Sequence, residues 1–278
     1  MTVLEVLQST TAYFTKRGLE SPRLNAEHLL AHSLGKKRIE LYLEFERALL
    51  ETELAPLREL VRRRGRGEPL QHLLGTVEFC THTFLCDKRA LIPRPETEEL
   101  VELLQSKIAN PKSKILDVGT GSGVIALSLA AKFPEAEVHA LDISDDALAL
   151  ARENAERLGL SARVQFLRGD LLTTVTHVYD IIVANLPYVA TAERGQVSRE
   201  VLCDPEEAVF AGPTGEELTR ELIQTAPARL TAGGLLALEI GLGQAEALLR
   251  FFSEKGYHDI SARQDHAGVT RFLFARHG

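Results

Sequence analysis

The chain has 278 residues, 45% hydrophobic and 26% charged, with a net charge of −7 and no tryptophan. No run of about 18 apolar residues exists, which excludes a transmembrane helix, and the acidic balance argues against tight, phosphate-driven binding to nucleic acid. The length allows a well-buried core and two domains.

The charge is uneven. Residues 1–75 carry 12 basic and 10 acidic side chains, a net of +2, and the remainder carries −9. The amino terminus has neither a basic n-region nor a signal-like apolar core. Cys80, Cys86 and Cys203 form no C-x-x-C pair and are odd in number, so reduced thiols in a cytoplasmic protein are expected.

The first ~65 residues read as helices by their apolar spacing. Thr2 to Glu5 has capping-box spacing, Val3, Val6, Leu7, Tyr13 and Phe14 share a stripe, and Gly18 ends the helix. Ser21-Pro22 reads as a cap followed by a first-turn proline, with Gly35 as the stop. Ile39, Leu41, Tyr42, Leu43 and Phe45 suggest a third helix, and Thr52 to Arg64 a fourth with Pro56 in its first turns. Together these make a small helical bundle. The basic run Arg62-Arg63-Arg64-Gly65-Arg66 suits a last helical turn; the alternative is a surface for an acidic partner or RNA. His28 and His32 have i,i+4 spacing but no H-E-x-x-H and no third ligand, so no metal site is expected.

Residues 76–93 change character. Val77 to Leu85 and Ala90 to Ile92 read as two short strands of a β-hairpin around Cys86-Asp87-Lys88-Arg89. Pro93-Arg94-Pro95 then stiffens the approach to a helix through Val101, Leu103 and Leu104, with Thr97 or a neighbour as its cap. From Lys114 onward strands and helices alternate. Strands are expected at Ile115–Val118, Glu137–Leu141, Val164–Leu167, Ile181–Ala184 and Leu235–Ile240, with helices at Val124–Lys132, Asp145–Leu158, Thr214–Leu230 and Gln244–Lys255. Asp259–Arg263 and Thr270–Phe274 form a closing antiparallel pair. Such alternation means a doubly wound α/β sheet, and the closing pair departs from a plain dinucleotide-binding fold.

Four motifs sit at the carboxyl ends of these strands, where open α/β sheets bind ligands. Asp117-Val118-Gly119-Thr120-Gly121-Ser122-Gly123 is a glycine loop between the first strand and its helix. It departs from G-x-G-x-x-G. An acidic residue beside exposed backbone suits a cationic, adenosine-bearing donor such as S-adenosylmethionine; another nucleotide or a simple turn stays open. Asp142 ends the second strand, where a carboxylate can accept from ribose hydroxyls, with helix capping as the plainer role. Asp170-Leu171 follows the third strand and can meet an adenine amino group and ring face, with a simple loop aspartate as the plainer role. Asn185-Leu186-Pro187-Tyr188 follows the fourth. An amide nitrogen is a poor nucleophile because its lone pair is delocalised. Fixed acceptors, the Asn185 side-chain oxygen and the Leu186 carbonyl, can hold its N–H bonds and stabilise charge developing on nitrogen. Pro187 limits the backbone and Tyr188 offers a flat face.

Through these motifs the sequence closely resembles the protein-(glutamine-N5) methyltransferases that modify peptide chain release factors. The likeness spans nearly the whole chain. It includes Gly67-Glu68-Pro69-Leu70-Gln71-His72, Leu91 to Glu98, Asp117 to Gly123, Asn185 to Tyr188, Gly233-Gly234, Glu239-Ile240-Gly241 and Asp265 to Gly268. The resemblance implies a helical substrate-recognition domain (1–75), a β-hairpin linker (76–93) and a class I, Rossmann-like methyltransferase domain (94–278). It implies methyl transfer from S-adenosylmethionine to the glutamine amide of a Gly-Gly-Gln tripeptide in a release factor. Gly119 to Gly123, Asp142, Asp170 and Leu171, with Asn185, would hold the cofactor, and Asn185 to Tyr188 the glutamine. Neither a membrane nor a stable nucleic-acid complex is implied. The family usually has proline at position 186 and often tyrosine at 72, and Cys203 to Glu206 only loosely matches its E-P segment.

Asn-Leu-Pro-Tyr is also similar to the motif of ribosomal RNA adenine dimethyltransferases. A nucleic-acid amino methyltransferase must unstack its base and bind phosphates, which the acidic second half and the Ile92 to Glu98 segment disfavour. A non-enzymatic scaffold is disfavoured by two intact motifs, and a hydrolase by the lack of G-x-S-x-G.

Overall fold

The computed structural model describes residues 1–278. By internal contacts the chain forms two units, Met1–Thr76 with Ser198–Cys203, and Val77–Val197 with Asp204–Gly278.

The first unit is helical. In α1 (Val3–Lys16) the Thr2 hydroxyl accepts from the Glu5 amide and the Glu5 carboxylate accepts from the Thr2 amide, a complete capping box. Before α2 (Pro22–Ser33) the expected Ser21 cap is absent: Ser21 is left-handed, φ 45°, and makes no capping bond. Asn25 secures the turn instead, its Nδ2 donating to the Glu20 and Ser21 carbonyls. In α3 (Arg38–Leu43) only Leu41 is buried. Two further helices are α4 (Glu51–Arg64) and α5 (Leu70–Leu74), and the latter is too short to show a period in sequence. Val3, Leu7, Phe14, Leu29, Leu30, Leu41 and Leu57 form the core.

The arginine run folds back on its own unit. Arg62 Nε donates to Glu59 at 3.0 Å, and Arg63 Nε to Glu68 at 2.8 Å. Arg64 is buried and donates to Asn25 Oδ1 at 2.7 Å, to the Glu68 carbonyl at 2.9 Å and to Glu200 Oε1 at 2.6 Å. Arg64→Leu strands buried acceptors, so it should destabilise this unit by on the order of 2 kcal/mol. An earlier urea transition reports that loss, and an unchanged midpoint would show that the brace contributes nothing.

Strands β1 (Thr76–Phe79) and β2 (His82–Leu85) are joined by Cys80-Thr81, with φ 45° and 68°. The sequence reading set the turn at Cys86 to Arg89 with a strand at Ala90 to Ile92; the structure corrects both. Two-residue hairpins need left-handed residues, and Cys-Thr carries none of the glycine or asparagine signal that marks them.

Helix α6 (Pro95–Gln105) leads to a seven-stranded sheet. Its strands are β3 (Lys114–Val118), β4 (Glu137–Asp142), β5 (Val164–Arg168), β6 (Tyr179–Asn185), β7 (Leu230–Glu239), β8 (His258–Gln264) and β9 (Thr270–Arg276). The order is β5-β4-β3-β6-β7-β9-β8. The first five are parallel, and β9 runs antiparallel between β7 and β8. The connecting helices are α7 (Val124–Lys132), α8 (Asp145–Arg157), α9 (Glu206–Val209), α10 (Glu217–Thr225) and α11 (Ala245–Glu254). Where one helix was expected over Thr214–Leu230, α10 stops at Thr225 and a 3-10 turn carrying Pro227 follows. Pro227 lacks the N–H that a continuing α-helix requires.

Ile181 to Ala184 are at most 4% exposed, as strands covered on both faces require. The chain order reverses between β3 and β6, and ligands bind at such a switch point. Pairing of Val118 with Ala184 brings Gly119 and Asn185 to adjacent strand ends.

Candidate active site

The glycine loop leaves β3 with Gly119, Gly121 and Gly123 at φ 72°, 55° and 85°. The amides of Gly119 and Thr120 both donate to the Leu141 carbonyl, at 2.8 and 2.9 Å. Asp117 is fully buried behind the loop. Its Oδ2 accepts from Thr120 Oγ1 at 2.6 Å and from the Ala126 amide at 3.1 Å. Burial pushes its pKa up to about 7 against those bonds. Asp117 therefore shapes the loop rather than meeting a ligand.

Asp142 Oδ2 accepts from the Gly121 amide at 2.8 Å and Oδ1 from the Ser144 amide at 2.9 Å. Burial raises its pKa, opposed by these backbone donors. Capping of α8 falls to Ser144, whose hydroxyl accepts from Ala147. Leu171 is left-handed, φ 45°, an uncommon state for a non-glycine residue that clusters at functional sites.

One cavity of about 390 Å³ gathers most of the motif residues. Gly119 to Ser122, Asp142, Asp170, Leu171, Asn185, Leu186 and Pro187 line it. Gly123 does not; it caps α7 and packs toward Leu127 and Ala151. Tyr188 does not either. Its carbonyl accepts from Gln244 Nε2 at 3.1 Å, and Gln244 also donates to Gly215 O and accepts from the Gly241 amide. Burial raises the pKa of the Tyr188 phenol.

Asn185 Nδ2 donates to Thr97 Oγ1 at 3.0 Å, and Thr97 Oγ1 donates to Glu239 Oε2 at 2.8 Å. The carboxamide is planar, so anchoring its nitrogen turns Oδ1 the other way. Thr97, expected as a helix cap, is the third residue of α6 and 3% exposed; Arg94 holds the cap position. Glu239 is 2% exposed at the end of β7, opposite Asn185 in register. Burial pushes it up to about 7.

Several of these residues had no functional reading in sequence. Arg94 pairs with the buried Asp204 at 2.7 Å. Asn154 is fully buried and ties Leu85 of the hairpin to the Ser122 carbonyl of the glycine loop. Pro205, Glu207, Ala208, Phe210 and Leu218 add another wall to the cavity. A carboxylate closing an otherwise apolar strand, Glu239, was the one available signal, because a buried charge is costly unless it is partnered.

Comparison with known proteins gives concordant results. The PrmC N-terminal domain family matches residues 5–75, and the methyltransferase small domain family matches residues 95–212. A release factor glutamine methyltransferase of Geobacter sulfurreducens is 40% identical, covering 100% of this chain and 97% of the relative. One from Deinococcus radiodurans is 39% identical over 99% of each chain. Among solved structures, a methyltransferase from Pyrococcus furiosus aligns with TM-score 0.54 at 20% identity, covering 70% of this chain and 88% of that one. A T. thermophilus 16S rRNA methyltransferase, in complex with AdoMet and guanosine, aligns with TM-score 0.54 at 21% identity, covering 73% and 50%. The structural likenesses bear on the fold alone, a class I methyltransferase sheet.

Proposed function

The chain belongs to the release factor glutamine methyltransferase family, and on that premise we propose that it methylates the glutamine side-chain amide in the Gly-Gly-Gln motif of peptide chain release factors. The observation that carries this at the site is the Asn185 carboxamide, pinned through its nitrogen and lining the cavity with Leu186 and Pro187. S-adenosylmethionine, when bound, supplies an electrophilic methyl group on a sulfonium. The residues fit it. A cavity of about 390 Å³ with Ile125, Leu141, Ile143 and Leu171 in its walls accepts an adenosine-bearing molecule; Asp142, Asp170 and Glu207 complement its positive charge, while the arginines in the lining, Arg89 and Arg94, are paired with Glu153 and Asp204.

In this reading Asp142 would face the ribose, Asp170 and Leu171 the adenine, and Gly119 to Ser122 would let the backbone approach closely. Asn185 Oδ1 and the Leu186 carbonyl accept the two N–H bonds of the glutamine amide. That orients the nitrogen lone pair and stabilises the charge it acquires. These acceptors would hold the amide through methyl transfer, and the nitrogen would lose one N–H proton to water as it takes the methyl group. Pro187 keeps the motif stiff, and Tyr188 anchors it from behind. The helical amino-terminal unit would select the release factor.

We expect no stable nucleic-acid complex: the second half carries −9 of net charge, and Arg62, Arg63 and Arg64 are engaged within their own unit. No helix is long and apolar enough to cross a membrane. We propose a cytoplasmic location, where reduced thiols at Cys80, Cys86 and Cys203 are the default. Labelled S-adenosylmethionine offered in parallel with release factor, ribosomal RNA and DNA should label the release factor; label on RNA alone would overturn the reading. Asp142→Ala should weaken S-adenosylmethionine binding about 10- to 100-fold, the loss of a charge-assisted hydrogen bond. Unchanged affinity in a calorimetric titration would remove the ribose assignment.

A further inference from the structure

We propose that Glu239 and Thr97 are positioning residues that fix which end of the Asn185 carboxamide faces the substrate, so that only the ionised state of Glu239 supports methyl transfer. The inference rests on Asn185 as an acceptor for the glutamine amide. Its basis is the polarity of one hydrogen-bond chain. An ionised carboxylate only accepts. Thr97 has a single hydroxyl proton, and it goes to Glu239 at 2.8 Å. The Thr97 oxygen then faces Asn185 as an acceptor, and only the Asn185 NH₂ can satisfy it, at 3.0 Å. Oδ1 is left for the substrate.

Protonation of Glu239 removes that constraint. The carboxyl O–H can donate to Thr97 Oγ1, which frees the Thr97 proton to be donated to Asn185 Oδ1. The carboxamide is then free to turn over, and in that orientation it presents N–H groups to a glutamine nitrogen that carries N–H groups of its own. Donor meets donor, and the acceptor is gone.

The surroundings of Glu239 tune this change to an accessible pH. Burial and the Glu96 carboxylate of α6 favour the neutral form. The Arg271 guanidinium of β9 and the hydrogen bonds from Thr97 and Asn185 favour the charged one. The Tyr188 phenol also lies within reach of its charge. These influences balance at about 7. Arg271 is itself held by Asp265, 3.5 Å away, and donates to the Ile240 carbonyl.

The test is single-turnover methylation at subsaturating release factor across about pH 5.5 to 9, where the profile reports groups in the enzyme before release factor binds. Wild type should show a rate that falls about tenfold per pH unit below an apparent pKa near 7 and is level above it. Glu239→Gln should lose this acid limb and run at one reduced rate throughout. Thr97→Val should lower the plateau about 10- to 100-fold with cofactor affinity unchanged, while Thr97→Ser stays near wild type. Asp117 also titrates near 7, and a limb of its making survives Glu239→Gln. A flat wild-type profile, a limb retained in Glu239→Gln, or a wild-type rate in Thr97→Val each overturns the inference. No methylation of release factor at any pH sinks the functional reading and this inference with it; vigorous methylation with a flat profile sinks the inference alone.

Discussion

Asn185→Ala should lower single-turnover methylation of release factor by about 10²- to 10³-fold, the usual cost of deleting one preorganised partner of developing charge. The nucleophile here is an amide nitrogen, which must give up conjugation before its lone pair can reach a methyl group. Two acceptors bind its two N–H bonds and hold it in the reactive direction, and the alanine variant loses the side-chain one. Folding should be spared. Thr97 still donates to Glu239 after the substitution, so the buried carboxylate keeps a donor when those from Asn185 are lost. Cofactor affinity, measured by calorimetry with S-adenosylhomocysteine, should change little, because the glycine loop and Asp142 are bonded to each other and not to Asn185. Asn185→Asp is the sharper variant. It adds a second carboxylate opposite Glu239 where Thr97 has one proton to share, so it should be as inactive as alanine. A near-normal rate in the alanine variant removes Asn185 from the mechanism.

The sheet was legible in sequence because local pattern reports burial. Ile181 to Ala184 could only be a strand covered on both faces, and the glycine loop could only be a tight turn. What stayed hidden depends on partners far away in the chain. Thr97 meets Glu239 across 142 residues. That meeting is set by the packing of α6 against β7 and by the register that pairs Asn185 with Glu239. From sequence alone, Thr97 had the look of a helix cap and Glu239 that of a strand end. Arg64 is a similar case: its partners Asn25 and Glu200 lie 39 and 136 residues away, so the arginine run read as a terminal helical turn or an outward surface. The hairpin turn failed for a different reason. Cys80 and Thr81 adopt left-handed conformations that their side chains do not favour. Glu98 stabilises that turn by accepting from the Cys80 amide at 3.0 Å, another long-range partner.

Gly119→Val should sharply weaken cofactor binding, with a loss of at least about 30-fold, through two costs that can be separated. The first is conformational: Gly119 has φ 72°, where a β-branched residue is strained by roughly 1–2 kcal/mol. The second is steric, because a Cβ at Gly119 would lie 2.9 Å from Leu186 Cδ2, and overpacking of that kind costs about 1–3 kcal/mol. Neither side yields easily. The loop is fastened by two amides on the Leu141 carbonyl and by Thr120 on Asp117. Leu186 is 5% exposed in the core with Val118, Leu171 and Leu238. Whichever element moves, the donor and acceptor motifs lose their mutual placement, so turnover should fall along with affinity. Leu186→Ala separates the two costs, since it removes Cδ2 but leaves φ as it is. The double variant should therefore bind S-adenosylhomocysteine about tenfold more tightly than Gly119→Val alone, a coupling expected only of residues in contact. If the double variant recovers nothing, the obstacle is the backbone and not Leu186. If Gly119→Val itself binds normally, the close approach of the glycine loop to the acceptor motif has no part in forming the site.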